Sequence, residues 1–167
     1  MGRRHAPLFH EEQKFRQPRL RILTAIPPVG MSLLAIWQVG LGHVWGKQPM
    51  SNASVIGWAI FLWLIYLRLM TVKLVTEVSP DAVHVAMRGL WRSNRIPARE
   101  VRSVHVVTFD AVKDWGGYGI RANQRGRAYI AGGNQGVRLE LSGGRSVLVG
   151  SLRPDELAGA IRPRLGL

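Results

Sequence analysis

ILTAIPPVGMSLLAIWQVGLGHVW, residues 22–45, contains no Asp, Glu, Lys or Arg, and its reading decides what kind of protein this is. At about 1.5 Å of rise per residue, one helix of this length crosses a hydrocarbon core of roughly 30 Å. Pro27 and Pro28 lie near the start of the run. There they are either tolerated in a first helical turn or produce a kink. A cleaved signal peptide would need a shorter apolar core and an A-x-A-like site after it, and neither is present. A second run, VIGWAIFLWLIYLRLMTV (residues 55–72), carries a single charge, Arg68, close to its C-terminal end and just before Lys73. Arg68 lies about 7 Å from that end, within reach of a snorkelling guanidinium stem. Pairing of Arg68 inside the membrane is the functional alternative. Between the runs, GKQPMSNAS (residues 46–54) is short enough to force an antiparallel hairpin.

The chain holds 23 Lys and Arg against 10 Asp and Glu, a formal charge of +13. That excess invites comparison with nucleic-acid-binding proteins. Its distribution argues otherwise: the intervening loop carries only Lys47, whereas Arg16, Arg19 and Arg21 precede the first run and Arg68, Lys73 and Arg88 lie on or after the second. The positive-inside rule then puts both termini in the cytoplasm, with Trp45 at the outer interface. The expected organisation is a basic cytoplasmic tail over residues 1–21, a two-helix transmembrane hairpin over 22–73 with spans near 22–45 and 55–72, and a cytoplasmic β-domain over 74–167. Cys is absent, so no disulfide or thiolate metal site can form.

After Lys73 the pattern changes to short β-branched runs punctuated by Gly, Pro, Asn and Asp. Strands are expected at residues 74–78, 82–87, 91–96, 101–109, 118–122, 127–131, 137–141 and 146–150, giving seven or eight short strands for a sandwich or small barrel. Val137, Leu139 and Leu141 alternate with Arg138 and Glu140, so one face is buried and the other wet. At the hairpin over residues 142–146, a two-residue Gly143-Gly144 loop would set Leu139 opposite Leu148, and a three-residue loop would set it opposite Val149. The spacing does not choose between them. Pro154, Asp155 and Glu156 open a C-terminal helix whose Leu157 and Ile161 share a face.

Four stretches of this half, TEVSPDAVHV (76–85), RIPAREVRSV (95–104), WGGYGIR (115–121) and GVRLELSGGRSVLVGSLRPDELAGAI (136–161), are together similar to the bacterial pleckstrin-homology-like (PH-like) domains that follow transmembrane helices in small membrane proteins. The resemblance covers roughly residues 74–164. It implies an all-β PH-like barrel of about seven bent strands, capped by the C-terminal helix, in the bacterial inner (cytoplasmic) membrane. It implies no chemistry, since members are mostly of unknown function and several look like oligomerising or scaffolding modules. Relatives of the fold that bind phosphoinositides use a Lys/Arg motif in the first hairpin. Here that hairpin is LVTEVSPDAVHVAMR, basic only at its edges, so phosphoinositide binding is not carried over.

Trp115, Gly116, Gly117, Tyr118 and Gly119, followed by Arg121, form the most distinctive cluster. It reads either as a ligand or partner loop or as a tight bend with an aromatic plug, and the recurrence of glycine–aromatic corners in curved sheets favours the bend. Asp110, Lys113 and Asp114 just before it have the composition of a solvated segment. The basic residues Arg19, Arg21, Arg68, Lys73, Arg88, Arg92 and Arg95 are candidate contacts for anionic lipid, each contributing on the order of 1 kcal/mol near a charged membrane surface. The five histidines show no H-E-x-x-H or paired-ligand spacing. No phosphate loop and no nucleophile elbow occurs. No catalytic residues, cofactor or metal are therefore expected.

The expected function is a membrane-anchored, non-enzymatic interaction or scaffold protein. It would associate with itself or with other membrane-protein subunits, with the bilayer as its constant partner and no nucleic acid. A sensor of anionic lipid or of a small ligand through the basic β-domain is the alternative. An enzyme would require Glu77, His105, Asp110 or Asp114 to converge in a concave site.

Overall fold

The computed structural model describes residues 7–15, 18–89 and 93–164, with backbone alone for residues 19 and 164. The chain divides into two compact units, residues 16–71 and the combination of residues 1–15 with 72–167.

The first unit is a helical hairpin. Helix α1 covers Pro18–Ala35 and continues as a π-turn over Ile36–Gly40; α2 covers Asn52–Met70. The helix begins at Pro18, ahead of the expected Ile22, because a proline suits a first turn whose amides lack intrahelical acceptors. Pro27 and Pro28 therefore fall in the helix interior. Each deprives the carbonyl four residues back of its donor. Hydroxyls bond to other carbonyls of the same stretch: Thr24 Oγ1 donates to Leu20 O and Ser32 Oγ to Pro28 O, both at 2.8 Å. In the π-turn, Leu41 N–H reaches Ile36 O at 3.0 Å. Gln38 is buried there, and its Nε2 donates to Met50 O at 2.6 Å and to Asn52 Oδ1 at 3.0 Å, fastening the end of α1 to the start of α2. Ser51 starts α2 three residues earlier than expected, its Oγ accepting Ser54 N–H at 3.2 Å. Trp63 Nε1–H donates to Ser32 Oγ at 3.0 Å and joins the two helices.

Only 11% of the apolar window of either helix is buried. An amphipathic helix of a water-soluble protein turns its apolar stripe to a core. Here Leu23, Leu33, Leu64 and Leu67 are each more than half exposed. Both helices are long and apolar enough to cross a membrane. Arg68, in the last turn of α2, points its guanidinium toward the helix end, where Nη1 donates to Thr71 Oγ1 at 3.0 Å.

In the second unit, nine strands form two sheets among the described residues. The first sheet runs β1 (Phe9–Lys14), β2 (Lys73–Val78), β3 (Ala82–Arg88), β4 (Asn94–Pro97), antiparallel throughout. The second comprises β5 (Val101–Thr108), β6 (Gly119–Asn123), β7 (Gly126–Ile130), β8 (Gln135–Leu141) and β9 (Ser146–Gly150) in the order β5-β8-β9-β7-β6, with β7 and β9 parallel. A short α3 (Ala111–Trp115) follows β5, and α4 (Pro154–Ile161) follows β9. The expected closed barrel does not form. A 3-10 turn at Ala98–Glu100 carries the chain from one sheet to the other, and among the described residues no ladder joins them. The inner faces of both sheets and α4 share one core, built on residues such as Leu74, Val85, Leu139, Val149, Leu157 and Ile161.

Residues 1–21 were expected to be a tail, but they contribute both a strand and the start of α1. Phe9, Glu11 and Gln13 point inward along β1, and the ladder runs from Phe9↔Val78 to Lys14↔Lys73. β1 and β2 are thus hydrogen-bonded neighbours with the helical hairpin inserted between them. The strand expected over 91–96 is observed at Asn94–Pro97, and residues 90–92 lie outside the described residues.

At the β8–β9 hairpin neither expected register occurs, because Leu139 faces Val147. Glu100 O takes Ser142 N–H at 2.7 Å and the Ser142 hydroxyl at 3.1 Å, which draws Ser142 out of the ladder. Leu141 N–H then bonds Arg145 O at 2.8 Å across a loop whose Gly143 and Gly144 both have positive φ.

Candidate functional site

Asp110 organises the distinctive loop. Its Oδ1 accepts Val112 N–H at 2.9 Å and Lys113 N–H at 3.0 Å, capping α3. These amides, Lys113 first, hold the Asp110 carboxyl below the usual carboxylate range. Asp114 Oδ2 accepts Asp110 N–H at 2.8 Å in return. Gly116 ends the helix at φ 71°, and the amides of Gly116 and Gly117 bond Val112 O and Ala111 O at 3.0 and 2.7 Å.

This geometry drops Trp115, 6% exposed, onto the outer face of the second sheet. There it packs in a cluster with Phe109, Ala111, Ala128, Ile130 and Leu148, with Tyr118 half-buried at the margin. β9 is consequently apolar on both faces, Val147 and Val149 toward the main core and Leu148 toward Trp115. Trp115 has the geometry of an aromatic plug. Arg121 is exposed on β6, and its Nη2 stands 3.1 Å from where a Cβ on Gly117 would be. A shallow, open depression of about 520 Å³ beside the loop, within the usual size range of small-molecule clefts, is bordered by Asp110, Asp114, Tyr118 and Asn134.

The candidate lipid contacts separate into groups. Lys73 and Arg88 are direct cross-strand partners, and Lys14 completes the same rung on β1. All three lie on the outer face of the first sheet, since the inner face belongs to Phe9, Leu74, Val78, Val83, Val85 and Met87. Arg95 lies toward the other end of that sheet, opposite His84, and pairs with Asp81. The Ser79 hydroxyl, then Arg95, lower the Asp81 carboxyl from its ordinary value. Arg21 and Arg68 belong to the helices. Arg92 and the Arg19 side chain lie outside the described residues. Lys14 escaped the sequence reading because two of the three inward positions of its strand, Glu11 and Gln13, are polar.

Those two side chains fasten β1 from inside. Glu11 Oε2 accepts the Ser151 hydroxyl at 2.6 Å and Oε1 accepts Leu152 N–H at 2.9 Å, while Gln13 Nε2 donates to Gly150 O at 2.9 Å. Ser151 Oγ in turn accepts Arg153 N–H at 3.0 Å, just ahead of α4. Thr76, opposite Glu11 on β2, is buried, with its hydroxyl unpartnered.

Of the four residues whose convergence would suggest an enzyme, Asp110 and Asp114 come together at α3. Glu77 and His105 stand on strands of different sheets. His105 Nε2 lies 3.1 Å from Ser103 Oγ, which donates to Glu140 Oε2 at 2.7 Å. This is a surface relay in which serine is bonded to the carboxylate directly, without the intervening base that would activate it. Among the described residues no group of three or more His, Asp or Glu is placed to hold a metal ion. Neither a family model nor a curated protein matches the chain.

Proposed function

We propose that this chain is a membrane-anchored, non-enzymatic interaction or scaffold protein of the bacterial inner membrane, with a PH-like β-domain on the cytoplasmic side. One observation carries the anchoring: the helical hairpin is inserted between two paired strands, with Lys14 and Lys73 as ladder partners at its root. A chain that leaves from and returns to one end of the β1–β2 ladder makes any pair of crossings from the same side of the bilayer. The positive-inside rule assigns that side to the cytoplasm. Of the layout that the PH-like resemblance implies, the packing of α4 against the core of a β-domain supports the reading, while the sheets stay separate where the resemblance implies a closed barrel. Extraction in mild detergent followed by native mass analysis tests the scaffold reading. Oligomers or co-purifying subunits are expected, and a lone monomer at cellular concentration would contradict it.

A second reading, binding of anionic lipid by the β-domain, is favoured by the rung of Lys14, Lys73 and Arg88. Flotation with anionic but not neutral vesicles, weakening as salt rises, is the expected result.

A further inference from the structure

Directly opposed side chains on one face of an antiparallel pair stand about 5 Å apart at Cβ, and like charges placed so are destabilising. The first sheet nevertheless sets three cations in one line across three strands, Lys14↔Lys73↔Arg88. Among the described residues one carboxylate answers them. Glu12 Oε2 lies 3.1 Å from Lys73 Nζ. The hydrogen bond and charge of Lys73, then Arg88 and His10, hold the Glu12 carboxyl below its ordinary value. Three cations against one carboxylate leave two positive charges uncompensated on the row.

Positive-inside topology does not account for this arrangement. That rule counts basic residues in the flanks of a span and is indifferent to where they fall on a folded sheet. Arg16, Arg19, Arg21 and Arg68 already satisfy it. Along the chain, Lys14 precedes α1 by four residues and Lys73 follows α2 by three. Beside it, Val75 and Ala86 occupy the next outward rung opposite Glu12. They line a shallow depression of about 400 Å³ that Arg88 and Ser93 border.

We propose that Lys14, Lys73 and Arg88 form a single site for the phosphate of an anionic phospholipid headgroup at the membrane surface. This rests on the anionic-lipid reading given above and deepens it to a site. Two uncompensated charges fit a headgroup with a net negative charge. A zwitterionic headgroup would bring its own ammonium against the third cation. Binding would relieve the repulsion among the three cations.

The test uses the full chain in neutral detergent. Its thermal midpoint is followed during titration with phosphatidylglycerol, with phosphatidylcholine and with inorganic phosphate. Phosphatidylglycerol is expected to raise the midpoint saturably and phosphatidylcholine to leave it unchanged. Inorganic phosphate should act only at much higher concentration. Lys14→Gln and Arg88→Gln should each weaken the apparent lipid affinity about fivefold, while leaving the lipid-free midpoint unchanged or higher. Arg102→Gln, on the exposed face of β5, should behave as the unaltered chain. A phosphatidylglycerol response that persists equally in Lys14→Gln and Arg88→Gln overturns this site but leaves the anionic-lipid reading standing. No response in any form of the protein overturns both. An equal response to inorganic phosphate overturns the lipid assignment.

Discussion

Glu11 and Ser151, 140 residues apart in the chain, meet in a 2.6 Å hydrogen bond inside the β-domain. The bond joins the strand that precedes the helical hairpin to the segment that leads into the last helix. Replacing Ser151 with Ala leaves one oxygen of a buried carboxylate without its donor and is expected to cost about 1–3 kcal/mol. Glu11→Ala should cost at least as much, since it frees Ser151 and Leu152 N–H together. The double variant should be less destabilised than the sum of the two. Strict additivity in chemical or thermal unfolding would contradict the link.

Because β1 and β2 are direct neighbours, the hairpin should be replaceable. Substituting residues 15–72 with a short glycine-containing turn joins Lys14 to Lys73 as an ordinary β-hairpin. We expect that product to fold in water without detergent. Residues 73–167 alone lack the Phe9, Glu11 and Gln13 side chains and should unfold at lower denaturant. Equal stability of the two proteins would show that β1 is dispensable.

Trp115→Ala should destabilise the β-domain by about 3 kcal/mol through the cavity left against Leu148 and Ile130, with Trp115→Phe losing less. A Trp115 held ready for a ligand would instead give an alanine variant of unchanged stability.

Three exposed carboxyls have lowered pKa values, each for a named reason: Asp110 from the Lys113 and Val112 amides, Asp81 from Ser79 and Arg95, Glu12 from Lys73. A group whose folded pKa is depressed contributes stability that is complete above its unfolded value and is lost as the pH falls through the folded one. The thermal midpoint should therefore stay level above about pH 5 and fall below about pH 4. Asp110→Asn keeps an acceptor for the cap but removes one titration, so its acid dependence should be shallower. A midpoint that does not change on acidification would refute this.

How much of this was legible in the sequence depended on whether a pattern was local. The two apolar runs announced themselves because length and lack of charge need no tertiary context, and the alternation at Val137, Leu139 and Leu141 read correctly for the same reason. β1 was hidden because its inward Glu11 and Gln13 are satisfied only by Ser151, Leu152 and Gly150, far away in the chain. The β8–β9 register was hidden because Glu100, on another connection, captures Ser142. The cationic row was half visible: Lys73 and Arg88 stood out as basic, but only the strand register reveals that they face each other and Lys14.

The absence of cysteine gives a clean background for testing whether the hairpin spans the membrane with its β-domain on the cytoplasmic side. Single cysteines at Gln48, in the loop between the helices, and at Lys113, in α3, would be probed in intact bacterial cells with a membrane-impermeant maleimide. Gln48→Cys is expected to be labelled in intact cells, and Lys113→Cys only after the membrane is opened. Labelling of Lys113→Cys in intact cells, or protection of Gln48→Cys until lysis, would contradict it.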